Sequence, residues 1–330
     1  MKKKLIAGAC SLLLVASLTA CNNNAATPDP GNTGGGGGEG GSKRIMLIAK
    51  ANSAEYWMKV KEGAIAAGQA EGFEVSFNGP DTESEGDKQL NQLETAINEK
   101  PAGIGFAPQD GAQDGAPRLM DAAQAANIPV VIFDTPLAGS DVPIATVASD
   151  NAGMGAQAAE QLVTLTGGTG KVAIIAHGEV GTAAARRDGF KDYLAANAPG
   201  MEIVDIQNGE SDPAKSRDKA QGILQAHPDL VGFFGTDDDS TIAIADEVAA
   251  KGMPTKIVGV DSSPDVLTLL KEGKINGVIV QNPFGMGQKT VEILIAATKG
   301  ETPTEKNVVS ESVWVTPENI DSEEVQKVIN

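Results

Sequence analysis

The stretch Arg44-Ile-Met-Leu-Ile-Ala-Lys-Ala-Asn-Ser-Ala-Glu-Tyr-Trp57 decides how the chain folds. Its apolar run from Ile45 to Ala49 is too short for a helix of its own and is bounded by polar residues, which is typical of a buried parallel strand. Helix-forming residues follow from Glu55 to Ala70. We therefore predict a strand, a turn and a helix, with the turn at the carboxyl end of the strand, where open α/β sheets bind ligands.

The turn itself carries the residue types of a binding site. It offers a cation at Lys50, two small polar residues at Asn52 and Ser53, and adjacent aromatic residues at Tyr56 and Trp57. The chain has only 2 Tyr and 2 Trp, so one of each in a single turn indicates the wall of a binding site.

Short apolar runs of this kind recur in two sets, with helix-forming stretches between them. The first set is Ile45–Ala49, Phe73–Phe77, Gly103–Ala107, Val130–Phe133 and Ile144–Ala148. The second set is Val172–Ala176, Glu202–Ile206, Leu230–Phe234, Ile257–Val260 and Gly277–Val280. Apart from the last run of each set, which follows sooner, the runs start roughly 28 residues apart, about the length of one strand–helix unit. We therefore expect an α/β fold of two doubly wound parallel-sheet lobes, with the ligand site in the groove between them.

Composition and charge exclude several classes of function. The 330 residues carry a net charge of −18, which repels the phosphate backbone of nucleic acids. The 2 cysteines, Cys10 and Cys21, both precede the folded part, and the 2 histidines, His177 and His227, lie far apart in sequence. These residues cannot form a disulfide framework or a zinc site of usual spacing, and no glycine-rich nucleotide motif is present. We expect no metal, no cofactor, no nucleic-acid partner and no enzymatic activity.

The amino terminus has the features of an export signal with a lipid anchor. A basic segment, Met1–Lys4, precedes an apolar segment, Leu5–Leu18, and the sequence Leu18-Thr-Ala-Cys21 resembles a bacterial lipobox. We expect residues 1–20 to be a signal peptide, Cys21 to be acylated, and residues 21–42, which include the run Gly34–Gly38, to be a flexible linker. The folded body would then be held at the extracytoplasmic face of the cell membrane. The alternative is a plain signal peptide that is cut nearby.

Polar and charged residues stand where the predicted strands end. They are Lys50 after the first run, Asp134 and Thr135 after Val130–Phe133, Asp237 after Phe234, Asp261 after Val260, and Gln281 after Val280, with Arg186 on the helix that follows Ala176. Because the carboxyl ends of parallel strands meet at one edge of a sheet, we expect these side chains to face one groove from both lobes.

This set of side chains suits a ligand with many hydroxyl groups. Each hydroxyl both donates and accepts a hydrogen bond, carboxylates accept, Lys and Arg donate, and Gln does both. Structural alternatives remain open at this point: Asp237 and Asp261 could be helix N-caps, Arg186 could form a surface ion pair, and Tyr56 and Trp57 could be core residues.

An ordered series of motifs carries a resemblance to a known family. The motifs are Ile48-Ala-Lys-Ala-Asn-Ser-Ala-Glu-Tyr-Trp57, Ile104-Gly-Phe-Ala-Pro108, Ala125-Ala-Asn-Ile-Pro-Val-Val-Ile-Phe-Asp134, Ala148-Ser-Asp-Asn151, Gly181-Thr-Ala-Ala-Ala-Arg186, Gln225-Ala-His-Pro-Asp229, Val258-Gly-Val-Asp-Ser-Ser-Pro264 and Val280-Gln-Asn-Pro283. With them, the body from Lys43 to about Ile320 resembles the periplasmic sugar-binding proteins of the ribose/galactose type, the solute receptors of ABC importers.

The resemblance implies a ligand set. Tyr56 and Trp57 correspond to paired aromatic residues that sandwich a sugar ring. Ligand contacts are also implied for Asp134, Thr135, Arg186, Asp237, Asp261 and Gln281, together with Lys50.

Several positions depart from the pattern of the ribose receptors. The departures are Lys50 in place of a small hydroxyl residue, Ala54 and Ala107 in place of amides, Thr135 in place of an arginine, and Ser211 in place of an aromatic residue. Lys50 is instead like the corresponding residue of autoinducer-2 receptors and of some ketose or polyol receptors, which argues against ribose itself.

The family's lobes are joined by three crossings of the chain, which the resemblance implies near Ser149, Asn282 and Ser312. The expected lobes are residues 43–148 plus 283–311 and residues 149–282 plus 312–330.

From the amino terminus and the family resemblance together, we expect a monomeric, lipid-anchored receptor that binds a monosaccharide, a polyol or a similar small polyhydroxyl ligand and delivers it to an ABC transporter permease. The alternative is a sensor that presents its closed form to a membrane signalling partner.

Overall fold

The first strand, β1 (Arg44–Ile48), is buried on both faces of its sheet. Ile45 and Leu47 belong to the core cluster on one face, while Met46 and Ile48 belong to the cluster on the other. Because successive residues of a strand point to opposite faces and both faces are covered here, the strand has a continuous apolar sequence rather than an alternating one.

The computed structural model describes residues 42–329, so the predicted signal peptide, Cys21 and almost all of the predicted linker lie outside the described residues. Within this range the strands form two six-stranded sheets. The first sheet contains β1, β2 (Glu74–Asn78), β3 (Gly103–Phe106), β4 (Val130–Phe133), β5 (Ala145–Ser149) and β11 (Asn307–Ser310). The second sheet contains β6 (Gly170–Ala176), β7 (Met201–Asn208), β8 (Leu230–Gly235), β9 (Lys256–Val260), β10 (Gly277–Gln281) and β12 (Ser312–Val315).

Both sheets have the same strand order. The first is ordered β11-β5-β4-β3-β1-β2 and the second β12-β10-β9-β8-β6-β7. All pairs of neighbouring strands are parallel except β10 with β12, which is antiparallel. The predicted α/β fold with two doubly wound, mainly parallel sheets is therefore confirmed.

Helices cover both faces of each sheet. Those of the first lobe are α1 (Glu55–Ala70), α2 (Gly86–Asn98), α3 (Ala116–Ala125) and α9 (Pro283–Thr298). Those of the second lobe are α4 (Asn151–Thr166), α5 (Gly181–Asn197), α6 (Pro213–Ala226), α7 (Asp238–Lys251), α8 (Pro264–Lys271) and α10 (Glu323–Ile329). No helix within residues 42–329 has both the length and the apolar character that crossing a membrane requires.

The chain passes three times between the two sheets. It leaves the first sheet after β5, returns after β10 through α9, and crosses again at Glu311 between β11 and β12. These three crossings form the hinge between the lobes, as the predicted fold requires. They bring the carboxyl ends of the two sets of parallel strands to the same interlobe space, which is where ligands bind in sheets of this type.

Each lobe contains one pair of helices whose backbones touch. In the first lobe, a Cβ atom on Gly63 of α1 would lie 1.9 Å from the Phe284 carbonyl oxygen of α9. In the second lobe, a Cβ atom on Gly155 of α4 would lie 1.9 Å from the Arg186 carbonyl oxygen of α5. No real Cβ atom approaches a backbone oxygen so closely, so glycine at these positions is what allows the helices to pack in direct contact.

We predict that Gly155→Ala destabilises the protein by about 1–3 kcal/mol, because α4 and α5 must separate to admit the added methyl group. The control is Gly222→Ala within α6, where an added Cβ meets no atom within 4 Å. This control should stabilise the protein by about 0.5–1 kcal/mol through helix propensity. Urea unfolding measures both changes, and equal effects from the two substitutions would contradict the packing argument.

Candidate functional site

A cavity of about 490 Å³ lies between the two lobes at the carboxyl ends of their parallel strands. Eight of the nine predicted ligand residues line it, namely Lys50, Tyr56, Trp57, Asp134, Arg186, Asp237, Asp261 and Gln281. The ninth, Thr135, does not line it, and its side chain is buried behind Asp134. The structure thus brings together residues that are up to 231 positions apart in sequence.

Two aspartates occupy equivalent positions in the two lobes. Asp134 follows β4 and Asp261 follows β9, and both have left-handed backbones, with φ of 64° and 75°. The backbone N–H of each donates a 2.9 Å hydrogen bond to a carbonyl of the next strand, at Val147 and Ile279. Non-glycine residues adopt this conformation rarely, and Asp is among those that tolerate it. The same strand-end geometry therefore points a carboxylate into the cavity from each lobe.

Asp134 is the centre of a buried hydrogen-bond network in the first lobe. Its Oδ2 accepts from Lys50 Nζ at 2.7 Å and from the Thr135 hydroxyl at 3.0 Å, and its Oδ1 accepts from the Tyr56 hydroxyl at 3.0 Å. Burial raises the pKa of Asp134, but the charge and hydrogen bond of Lys50 outweigh it, so the pKa lies below its usual range. Asp134 is therefore held as a carboxylate.

The two aromatic residues of the turn have different surroundings. Trp57 is 1% exposed, packs in the core of the first lobe and lies edge-to-face with Phe133. Tyr56 is half-buried at the cavity and meets Trp57 at an interplanar angle of 89°. Burial, with the charges of Asp134 and Asp261, raises the pKa of Tyr56 well above its usual value, so its hydroxyl remains a donor. Because the rings of Tyr56 and Trp57 are nearly perpendicular, they do not present two parallel faces to a ligand.

Arg186 is the principal cation of the second lobe and is 3% exposed. Its Nε donates to Asn151 Oδ1 at 2.8 Å and its Nη1 donates to the Thr236 carbonyl oxygen at 2.6 Å. No carboxylate among residues 42–329 lies within 4.0 Å of it. The surface ion pair considered from sequence is thus not formed, and the guanidinium keeps donors for a ligand oxygen.

Asp237 caps a helix and also lines the cavity. Its side chain accepts from the backbone N–H of Ser240 at 3.1 Å, as part of a capping box at the start of α7. The N-cap role considered from sequence is therefore real for Asp237, whereas the cap of α8 is Ser263 and not Asp261. Burial raises the pKa of Asp237 to about 7.

Asp261 is linked to the hinge through Gln281. The Gln281 amide nitrogen donates to Asp261 Oδ1, and its Oε1 accepts from the Ser149 hydroxyl at 2.9 Å. Ser149 ends β5 and Gln281 ends β10, so this chain of hydrogen bonds joins two hinge crossings to a carboxylate of the cavity. Burial raises the pKa of Asp261, and the charge of Arg186 offsets part of that rise.

The sequence analysis did not select Glu83 or His177, which also line the cavity. Glu83 Oε1 accepts from Trp57 Nε1 at 2.7 Å, and burial raises its pKa. His177 lies between the hydroxyls of Thr236 and Thr182, and burial lowers its pKa well below the usual value. Both follow the carboxyl end of a strand, β2 and β6, so the strand-end argument could have found them if it had been applied to every strand.

The chemistry of the cavity is hydrogen bonding with charged groups. Asp134, Asp237 and Asp261 can accept from hydroxyls, while Lys50 and Arg186 can donate. Among residues 42–329, no group of three or more His, Cys, Asp or Glu side chains is arranged to hold a metal ion.

Comparison with known proteins shows one consistent relationship. Residues 45–302 match the model of the periplasmic binding protein domain. The chain is 26% identical over 266 residues to the D-allose-binding periplasmic protein of Escherichia coli, covering 77% of this chain and 84% of that protein.

Two solved structures are also similar. A carbohydrate transporter solute binding protein from Agrobacterium radiobacter, in complex with D-arabinose, has a TM-score of 0.82 and 27% identity, covering 88% of this chain and 99% of that one. An ABC transporter solute binding protein from Agrobacterium vitis, with bound D-fucose, has a TM-score of 0.82 and 30% identity, covering 87% and 100%.

We predict that Asp237→Asn stabilises the protein at high pH. An acid whose pKa is raised in the folded state keeps its proton there while the unfolded chain loses it, so the free energy of unfolding falls as the pH rises from about 4 to about 7. Asparagine is as good an N-cap and carries no charge. The gain should be small at pH 4 and reach on the order of 1–2 kcal/mol at pH 8, since solvent in the cleft screens part of the shift.

Urea unfolding at pH 4 and at pH 8 measures this gain. Asp150→Asn is the matched control, because Asp150 is also an N-cap, of α4, but is exposed. The change in effect between pH 4 and pH 8 should be larger for Asp237→Asn than for Asp150→Asn, because Asp237 is the more buried member of the pair. A stabilisation by Asp237→Asn that does not grow with pH would show that the pKa of Asp237 is not raised in the folded state.

Proposed function

The chain belongs to the periplasmic binding protein domain family, and on that premise we propose that it is an extracytoplasmic receptor for a small polyhydroxyl ligand. The ligand is a monosaccharide, a polyol or a similar compound, bound between the lobes and delivered to an ABC importer. The observation that carries the proposal is the convergence of Asp134 from one lobe with Arg186 and Asp261 from the other on one cavity.

The size and chemistry of the cavity support a sugar-sized ligand. Its volume of about 490 Å³ falls within the range usual for small-molecule sites. Hydroxyl groups need both donors and acceptors, and here the carboxylates accept while Lys50, Arg186 and the Gln281 amide donate. The names of the similar proteins refer to D-allose, D-arabinose and D-fucose, which are neutral compounds of this class.

We assign the ligand contacts to seven residues, with Thr135 as a support that orients Asp134 and Trp57 as a support behind Tyr56. The seven are Lys50, Tyr56, Asp134, Arg186, Asp237, Asp261 and Gln281. Tyr56 offers its ring and hydroxyl, while Trp57 forms the wall behind it.

Binding is coupled to closure of the lobes, for which we propose the boundaries 43–148 plus 283–311 and 149–282 plus 312–330. A ligand that touches Asp134 and Asp261 together stabilises the closed form only, which is the differential affinity that domain closure requires. The closed form is then recognised by a permease. Two of the similar proteins are described as transporter proteins, which favours delivery to an importer over a sensor.

The receptor acts by binding and release rather than by catalysis, as a monomer attached to the membrane. The predicted lipid anchor at Cys21 and the linker of residues 21–42 would let the folded body approach a permease while remaining tethered. A chain of about 20 glycine-rich residues has a root-mean-square reach of roughly 25 Å.

We predict that Asp261→Ala weakens binding of the natural sugar by tens to hundreds of fold, because a hydrogen bond to a buried charge contributes about 1.5–3 kcal/mol. A thermal-shift screen with D-ribose, D-allose, D-arabinose, D-fucose and common polyols identifies the ligand, and calorimetric titration gives the affinity. Asp246→Ala, which removes an exposed carboxylate of α7 paired with Arg217, should bind as tightly as the parent. Unaltered affinity in Asp261→Ala would place the ligand elsewhere.

A further prediction concerns the anchor. Cys21→Ala should abolish labelling of the protein with radioactive fatty acid in bacteria and release the folded body from the membrane fraction, since it removes the acylated side chain. Fractionation and immunoblotting measure the release. Full membrane retention of this variant would contradict the lipoprotein assignment, and the Cys10→Ala variant, which lies within the predicted signal peptide, should remain anchored.

A further inference from the structure

The two lobes touch beside the cavity. A Cβ atom on Gly181, the first residue of α5 in the second lobe, would lie 3.6 Å from Thr135 Cγ2 and 3.8 Å from the Asp110 Cα atom, both in the first lobe. These are ordinary contact distances, so no more than a methyl group fits between the lobes at this point. The free space described next therefore lies between lobes that are already in contact.

A second compartment continues the cavity between the lobes. It has a volume of about 380 Å³, and seven residues line both spaces, among them Lys50, His177 and Thr182. Its own walls include Gln109, after β3, and Val180, before α5. Each space by itself falls within the range usual for small-molecule sites, so the cleft has room for a ligand of two sugar-sized units. We call the place where the two spaces meet, lined by Lys50, His177 and Thr182, the junction.

The neighbours of His177 determine which of its ring nitrogens carries the proton. Thr236 is fully buried, and its hydroxyl oxygen accepts from the His177 backbone N–H at 3.0 Å. Within residues 42–329, the only acceptor at hydrogen-bond distance for the Thr236 hydroxyl proton is His177 Nδ1, at 2.7 Å. Burial keeps the pKa of His177 well below its usual value, so the ring is neutral and its proton is on Nε2. Nε2 donates this proton to the Thr182 hydroxyl oxygen at 3.0 Å.

Thr182 is left with a hydroxyl proton that has no acceptor. Its oxygen accepts from His177, and its own proton has no partner in the part of the chain that the structure describes. The residue is only 8% exposed and lines both spaces. A buried donor without a partner costs free energy, which a ligand oxygen recovers by accepting from it. The hydrogen bonds from Thr236 through His177 thus fix Thr182 as a donor at the junction.

The first lobe also supplies donors at the junction. Lys50 Nζ has three N–H donors, and the only carboxylate within 4.0 Å of it in the range 42–329 is that of Asp134. The Gln109 amide donates to the Lys50 carbonyl oxygen at 2.8 Å and so holds the Lys50 backbone in place. Donors from opposite lobes therefore meet at the junction. They match an oxygen that accepts without donating, which is the property of the oxygen that bridges the two units of a glycoside.

The second compartment suits a neutral unit that carries hydroxyl groups. The buried Gln109 Oε1 has no hydrogen-bond partner among the described residues, and a ligand hydroxyl that donates to it would satisfy it. Glu83 and Glu210 also line both spaces, and their negative charges disfavour a phosphate or carboxylate group there.

We propose that the ligand is a neutral glycoside of two units, such as a disaccharide. One unit binds between Asp134, Arg186 and Asp261, the other occupies the second compartment, and Thr182 donates to the oxygen at the junction. The inference rests on the proposed function and narrows its ligand class. In this arrangement Thr182 contacts the ligand, whereas His177 is a positioning residue that orients the Thr182 hydroxyl.

Calorimetric titration of the purified full-length chain tests the size of the ligand. The probes are maltose, cellobiose, lactose, melibiose and xylobiose, their constituents D-glucose, D-galactose and D-xylose, and the methyl glycosides of these three sugars. A methyl glycoside has the bridging oxygen but lacks the second unit. We expect at least one disaccharide to bind about tenfold or more tightly than each of its constituent sugars and their methyl glycosides.

Substitutions assign this preference to the second compartment. Val180→Trp narrows the compartment at a residue that is 59% exposed, so the fold accommodates the larger side chain, and the preference for the disaccharide should fall about tenfold or more. Thr182→Val removes the donor and should lower the preference about two- to tenfold, while Thr182→Ser keeps the hydroxyl and should retain it. Thr164→Val removes an exposed hydroxyl of α4 outside both spaces and should leave the preference unchanged.

A double variant tests the positioning role of His177. His177→Phe keeps a ring but removes the donor to Thr182, so it should lower the preference as Thr182→Val does. The variant that combines both substitutions should lower the preference no further, because both act through one hydroxyl group. Independent, additive losses would contradict this role.

The outcomes separate this inference from the proposed function. If a monosaccharide or a compound of the earlier screen binds and no disaccharide is preferred, or if the preference survives either Val180→Trp or Thr182→Val, the inference is overturned while the receptor stands. If none of these sugars binds, nor any compound of the earlier screen, the proposed function itself fails and the inference fails with it.

Discussion

The buried ion pair between Lys50 and Asp134 is the interaction on which the rest of the cleft depends. Its two side chains are only 6% and 8% exposed, and it joins the carboxyl end of β1 to that of β4. Two charges leave water to form it, and the pair is tolerated because Tyr56 donates to the other oxygen of Asp134 while Thr135 adds a second hydrogen bond to Oδ2. Removing either partner would leave an uncompensated buried charge, which typically costs 3–5 kcal/mol.

The ion pair also shifts the pKa of Asp134 in the opposite direction from that of Asp261, although the backbone is alike at the two residues. Asp134 and Asp261 share a left-handed backbone and an equivalent hydrogen bond to the next strand. Lys50 keeps the pKa of Asp134 below its usual range, whereas burial raises that of Asp261 because Arg186 lies beyond ion-pair distance. One lobe therefore presents a satisfied carboxylate, and the other presents one that is linked through Gln281 to the hinge. In the proposed function, a ligand that binds Asp261 would act on the hinge through the Gln281 amide.

Direct backbone contact between helices helps to position the cleft residues in both lobes. The α5 carbonyl that meets Gly155 belongs to Arg186, so the position of the guanidinium depends on how closely α4 approaches α5. In the first lobe, α9 makes the same kind of contact with α1, the helix that begins next to Tyr56. The small residues of these helices thus matter for the site as well as for the core.

The sequence by itself determined the fold and selected eight residues that line the cavity. Apolar runs such as Ile45–Ala49 arise because both faces of each sheet are buried. The residues that follow parallel strands come together because the carboxyl ends of those strands lie at one edge of the sheet. Only the tertiary structure decided the partners: that Thr135 donates to Asp134, that Trp57 is a core residue, and that Glu83 accepts from Trp57 Nε1. The periodicity of the sequence indicates which face of a helix or strand a residue occupies. The hydrogen-bond partner of a side chain and its pKa depend instead on distances to side chains that are remote in sequence.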